Sequence, residues 1–271
     1  MTNNFDTTGA DKYDGLQASV QKRTGSGLTF LVAYTLSRTF SNTDSGFSTF
    51  NFKGLNQLNP NAEWSVGNDD RTHVLNIAEV YELPLGPGKK LLNRGGMAMK
   101  NIVGGWLFSG IYTYHSGTPL QIFCAGAINS SPLFYSAQNR CNIQPGSFDV
   151  NWNNYYTGGP IINVNKFSAP GVWTIGNAAP LYSGLRNPFE SNESVALKKK
   201  FFFGERVTAE LEMTFDNILN RMRVCGSLHN TAGGTGNQNF GFFGNGGCSG
   251  VGTTSQGNTP RRGQAFFTIK F

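Results

Sequence analysis

The chain has 271 residues, and only 14% are charged, against roughly 25% in an average soluble domain; Phe (22), Tyr (9) and Gly (35) are abundant. Mean hydropathy is −0.29 and no run reaches the ~18 apolar residues of a membrane helix, which excludes a helical membrane protein but not one that crosses with strands. The formal net charge of +6 is scattered apart from Lys198-Lys199-Lys200 and Arg261-Arg262, so no clustered basic face or motif points to nucleic acid as a partner.

The first fifteen residues, MTNNFDTTGADKYDG, are polar, with neither a basic n-region nor an apolar h-region. No export signal is read there. The expectation is either a cytosolic protein or a piece of something longer.

Period-2 alternation then marks strands in chain order. The first is predicted over 13–23, with Leu16, Ala18 and Val20 on one side. Gly25-Ser26-Gly27 turns the chain into a second strand over 28–39. Here Leu28, Phe30, Val32, Tyr34 and Leu36 alternate with Thr29, Leu31, Ala33, Thr35 and Ser37. One face is large and apolar, the other mostly small and polar. A long polar stretch follows to about residue 72. The third strand covers 73–83, with Glu79 interrupting an otherwise apolar face, and PLGPG (84–88) stops it. A short link ending in Gly104-Gly105 leads to the fourth strand, 106–116.

The next connection, about 117–191, is very long. The fifth strand is placed over 193–203, and Gly204-Glu205 makes a tight turn. The sixth, 207–217, alternates Val207, Ala209, Leu211, Met213 and Phe215 with Thr208, Glu210, Glu212, Thr214 and Asp216. A Gly-rich stretch, roughly 222–262, precedes the last strand, QAFFTIKF, at 264–271.

These strands are about 9–12 residues long, the span of a tilted strand crossing a bilayer. Connections alternate short and long, so all long loops gather at one end, as in outer-membrane barrels. Loops of roughly 30–70 residues are uncommon inside compact soluble domains. The fold class read from this is all-β: antiparallel, up-and-down transmembrane β-barrel strands with long external loops. With long loops outside, the first and last of about seven strands run the same way, whereas a closed barrel of this kind has an even count. The whole of 1–271 is therefore expected to be the C-terminal part of a larger barrel, with no plug domain in this sequence.

Few residues suggest chemistry. His73, His115 and His229 lie at no catalytic or ligand spacing, and no cofactor or metal is expected. Glu210, Glu212 and Asp216 share a strand face and read as carboxylates lining a watery lumen rather than as an acid–base pair. Trp106, Tyr112 and Tyr114, with Tyr34, read as aromatics at the membrane interfaces. Trp106 lies at the short-link end and the tyrosines lie toward the long loops. Cys124, Cys141, Cys225 and Cys248 have no zinc-ligand spacing. Local disulfides Cys124–Cys141 and Cys225–Cys248 are the simplest pairing and need an oxidising compartment; four unpaired thiols are the alternative.

The segments YDGLQASVQKR (13–23) and GLTFLVAYTLSR (27–38) resemble a strand pair of TonB-dependent outer-membrane receptors of the Oar-like group, whose members often carry a carboxypeptidase-regulatory-like domain. NDDRTHVLNIAEVYELPLGPGKK (68–90), GGWLFSGIYTYHSGTPL (104–120) and AELEMTFDNILNR (209–221) resemble the segments that follow there, in the same order. The resemblance implies a barrel of roughly 22 strands in the outer membrane of a Gram-negative-type bacterium, with a plugged lumen. It implies uptake of a bulky solute such as an oligosaccharide, peptide or siderophore, and no enzyme activity. The TonB complex would act only through an N-terminal plug outside this sequence. The closing Phe267, Ile269 and Phe271 match the alternating aromatic signal that the barrel assembly machinery reads, with the lipid bilayer as the other partner. A small self-closing barrel, or a secreted adhesion module binding through its loops, is the alternative.

Overall fold

The computed structural model describes residues 9–25, 27–43, 59–120, 122–124, 140–154, 160–171, 174–204, 206–221, 227–228, 231–232, 243–244 and 260–271. Its frame is a sheet of seven long strands: β1 (Asp11–Arg23), β2 (Leu28–Ser41), β3 (His73–Glu82), β4 (Trp106–His115), β5 (Glu190–Phe203), β6 (Val207–Asp216) and β7 (Arg262–Lys270). Each pairs antiparallel with its neighbour in sequence, an up-and-down meander. A two-residue strand, Ser65–Val66, adds to the far end of β2. These strands coincide with the seven expected from alternation, their ends differing by at most a few residues. β5 starts earlier, at Glu190, because Ser191 and Tyr114 continue the ladder with β4.

The sheet is open. β1 and β7 are its edges, and after seven alternating strands they run in the same direction. At the end where β1 meets β2 the reversal is tight. The Thr24 amide and hydroxyl both bond to Leu28 O, and Gly27 closes the turn at φ +86°, a conformation that suits a residue without Cβ. A side chain at Gly27 would also press on Glu82 O across the strand, at 3.0 Å.

The connection between β3 and β4, placed by the sequence over nearly the same residues, carries structure of its own. Pro84 ends the ladder because it lacks an N–H. A bridge between Leu85 and Leu91 then closes a small turn. Helix α1 (Met97–Ile102) follows and docks on β5, where the Asn101 amide donates to Phe202 O at 2.9 Å and accepts from Phe202 N at 2.8 Å. One side chain thus imitates a further strand at the rim.

The apolar core does not lie on the sheet. Leu120, Ile122, Cys124, Cys141, Ile161, Ile162, Phe167 and Leu185 are all buried and all lie within the β4–β5 connection. Among the described residues, Ala209 is the only buried apolar side chain in the seven long strands. Leu16, Val20, Phe267 and Ile269 on the edge strands are exposed.

Candidate functional site

Strand register sorts the sheet into two chemically distinct faces, because side chains alternate while paired residues share a face. Val20 pairs with Val32, Val32 with Ile77, Ile77 with Tyr112 and Tyr112 with Glu193. The same face continues through Leu197, Met213 and Ala265, and through Leu211 and Phe267. It is broad and mostly apolar. Glu79, Glu193 and Lys199 interrupt it on β3–β5, where each has a local partner, and Lys12, Asp14, Lys22 and Arg38 lie on it toward the ends of β1 and β2. Glu79 accepts from the Tyr112 hydroxyl at 2.8 Å, and Glu193, almost wholly buried, pairs with Arg221 at 2.9 Å. Lys199 Nζ bonds to Gly104 O and to Ile102 O beyond the sheet end, and lies 4.9 Å from the Trp106 ring centre. These contacts let long side chains carry their charge off the apolar surface.

The aromatic residues singled out from sequence all belong to this face. Trp106 sits at the end of β4 nearest α1. Tyr34 and Tyr114 lie toward the long connections. The Tyr34 hydroxyl meets His73 Nδ1 at 2.8 Å, and the Tyr114 ring stacks on Phe189 with centroids 6.2 Å apart. Tyr112 folds back over Gly110 on its own strand. A Cβ at Gly110 would lie 2.5 Å from the phenol oxygen, so the ring covers the strip that the missing side chain leaves. Phe215 covers Gly263 on the neighbouring strand in the same way.

The opposite face carries Gln17, Thr35, Asn76, Ser109 and Thr113, and on β5–β7 a ladder of charge. Glu210 pairs with Lys270 at 3.0 Å and faces Lys200 at 3.8 Å. Glu212 pairs with Lys198 at 2.8 Å. Asp216 accepts from the Ser194 hydroxyl at 2.9 Å and stands opposite Arg262. Glu210 and Asp216 thus have polar neighbours on both flanking strands and Glu212 on one, an arrangement suited to a wet surface.

The long connections meet above one end of the sheet and build a cap. Cys124 and Cys141 are joined by a disulfide at its centre. Cys225 and Cys248 lie outside the described residues, as does His229. Arg140 reaches from this connection to the β2–β3 connection, where it pairs with buried Glu63 and donates to Ala62 O at 2.9 Å. Arg186 makes the second tie. It bonds to Asp70 Oδ2 at 2.5 Å and to Asp70 O at 3.0 Å, while Asp70 Oδ1 accepts from Thr39 N at the end of β2. Asp70 therefore clamps cap to sheet. Tyr182 lies in the cap core; burial pushes its phenol above the ordinary range, against the opposing pull of the Ala179 N–H and Arg140. Sequence reasoning missed these ties, since nothing in Glu63 or Arg140 taken alone signals a partner so far along the chain.

At His115, Nε2 lies 2.5 Å from Arg71 Nη1 and 3.5 Å from Glu190. No group of three or more His, Cys, Asp or Glu side chains among the described residues is arranged to hold a metal ion.

The family model of the outer membrane beta barrel domain matches residues 1–264. The chain belongs to that family. It is thus a protein of the outer membrane of a Gram-negative-type bacterium. No curated protein and no solved structure matches it. For an outer membrane beta barrel domain, a sheet with one apolar and one polar face is the expected wall, since such strands meet different solvents on their two sides.

Proposed function

We propose that this chain supplies wall strands of a wide outer-membrane receptor that takes up a bulky solute, an oligosaccharide, peptide or siderophore, in a TonB-dependent manner. The observation that carries the reading is the location of the apolar core. A soluble sheet protein buries one strand face under a second layer. Here, among the described residues, the large apolar side chains of the seven strands are exposed or half-buried while the buried core sits in the cap. Lipid is the solvent that suits such a face.

On this reading the face of Val32, Ile77 and Leu197 meets lipid, and the ladder of Glu210, Glu212 and Asp216 faces the lumen. Trp106 at one end and Tyr34 and Tyr114 at the other mark the two interfaces, while Tyr112 lies nearer the middle of the face. Open edges are not viable in lipid, where every backbone N–H and C=O needs a partner. β1 and β7 run in the same direction, so antiparallel closure takes an odd number of further strands. That parity favours a larger barrel over the self-closing alternative, which would have to pair β1 with β7 in parallel. The chain then does no chemistry of its own; TonB acts on a plug that the lumenal ladder surrounds. The alternating Phe267 and Ile269 on β7, with Phe271 just past its end, are what the assembly machinery reads.

The test is site-directed labelling in outer membranes. Single cysteines at Val32, Leu75 and Phe267 should react with a lipid-dissolved probe, and those at Ala33, Asn76 and Glu212 with a water-soluble one. Equal labelling by the aqueous probe on both faces would overturn the reading. Phe271→Ala should lower the amount inserted several-fold; unchanged insertion would remove the assembly role.

A further inference from the structure

The cap holds a cleft of about 490 Å³, lined by Val150, Trp152, Asn153, Arg186, Asn187 and Phe189 together with Gly184 and Pro188. That volume lies within the ~300–1,000 Å³ of small-ligand sites. The lining has a definite chemistry. Trp152 and Phe189 supply flat aromatic surface, and Phe189 is 63% exposed although its other side leans on Tyr114. Asn153 and Asn187 supply side-chain amides, each able to donate and accept. Asn153 is exposed, and Asn187 is fixed by donating from Nδ2 to Thr118 Oγ1 at 3.0 Å.

Arg186 decides the charge of the ligand. Its Nε donates to Ser183 O at 2.8 Å, Nη1 to Asp70 O and Gly117 O, and Nη2 to Asp70 Oδ2. The guanidinium is thus satisfied within the protein and its charge is matched by Asp70. Among the described residues, no carboxylate or lysine lines the cleft. A site with aromatic plates, amide donors and acceptors and no unmatched charge suits an uncharged, polyhydroxylated ligand with flat C–H faces. An acidic ligand would want a free cation, and an acyl chain would have no use for the amides. Arg186 also holds the floor rigid, which lowers the ordering cost of binding.

We infer that this cleft binds a neutral oligosaccharide, with the sugar rings stacked on Trp152 and Phe189 and their hydroxyls bonded to Asn153 and Asn187. The inference rests on the reading of the chain as an outer-membrane receptor, for which it names the solute class.

The experiment uses outer membranes containing the protein, titrated with maltohexaose, cellohexaose and xylohexaose, with an oligogalacturonate of equal length and with lipopolysaccharide micelles. Saturable binding of at least one neutral hexaose is expected. Trp152→Ala and Phe189→Ala should each weaken it about tenfold or more, as removal of a central aromatic contact does. Asn153→Ala, an exposed position with little bearing on folding, should weaken it several-fold and so guards against a cap that has merely unfolded. Binding of none of the neutral sugars, binding only of the galacturonate or the micelles, or affinity indifferent to all three variants would overturn the inference. Fractionation separates the two proposals. Protein that inserts but ignores sugars leaves the receptor reading standing without this cleft. Soluble protein that binds sugar leaves the cleft standing and removes the receptor.

Discussion

Gly110 shows how one residue tunes the apolar face. Its missing side chain gives Tyr112 room to lie flat, which brings the phenol to the Glu79 carboxylate. Ala at this position would push the ring away and leave the carboxylate without its donor on an apolar surface. Gly110→Ala is expected to cost about 1–3 kcal/mol, the range for a polar group left unsatisfied. Urea unfolding from detergent would measure it, and Gly110→Ala combined with Glu79→Gln should recover part of the loss. Glu63 is the corresponding residue in the cap. Glu63→Gln leaves the Arg140 charge buried without a counter-ion, at a cost of about 3–5 kcal/mol. The double change Glu63→Leu with Arg140→Met should restore most of it, since a buried ion pair is often replaceable by apolar side chains. Thermal melting followed by tryptophan fluorescence reads both variants. The exposed Lys12–Asp14 pair, by contrast, should be removable with little effect.

At the scale of elements, β2 offers the sharpest comparison. Val32 and Ala33 are adjacent, at the same depth, on opposite faces. Val32→Arg should cost about 2–4 kcal/mol if its face lies at the bilayer midplane, while Ala33→Arg should be tolerated on a lumenal face. Reversible unfolding in lipid vesicles distinguishes them, and equal costs would contradict the two-faced wall. The strands were legible in the sequence because alternation is a local signal: Leu28 to Leu36 and Val207 to Phe215 declare their faces without knowledge of any partner. Helix α1 was not legible, since six residues hold less than two turns of pattern and its docking depends on Asn101 finding the Phe202 backbone. The cap was illegible for another reason. Its core draws Leu120, Ile122, Ile161 and Leu185 from separate turns with no common period, so only the fold brings them together.

For the whole molecule, parity is the governing fact. Each antiparallel pairing reverses the chain, so seven strands put both edges in the same sense, and β1 and β7 cannot pair antiparallel with each other. On the proposed reading of a wider barrel, 1–271 by itself should aggregate or form ill-defined oligomers in detergent, whereas co-expression with strands that close the wall should yield a heat-modifiable band on gels. A well-folded, monomeric 1–271 barrel would overturn this expectation.

The displaced core has one more consequence. On the proposed reading the sheet is held by lipid on one side, but the cap is held by water, as any small soluble domain is, and by the Cys124–Cys141 crosslink over a sequence separation of 17 residues, worth roughly 3 kcal/mol. One chain thus answers to two solvents, with different temperature laws. Melting the cap exposes apolar surface to water and carries a positive heat-capacity step; stripping strands from lipid does not expose that surface in the same way. Calorimetry in detergent should resolve an early, small transition with such a step, moved down by reductant, ahead of a main transition that reductant leaves in place. The cap would then be lost in a first stage while the sheet stayed intact.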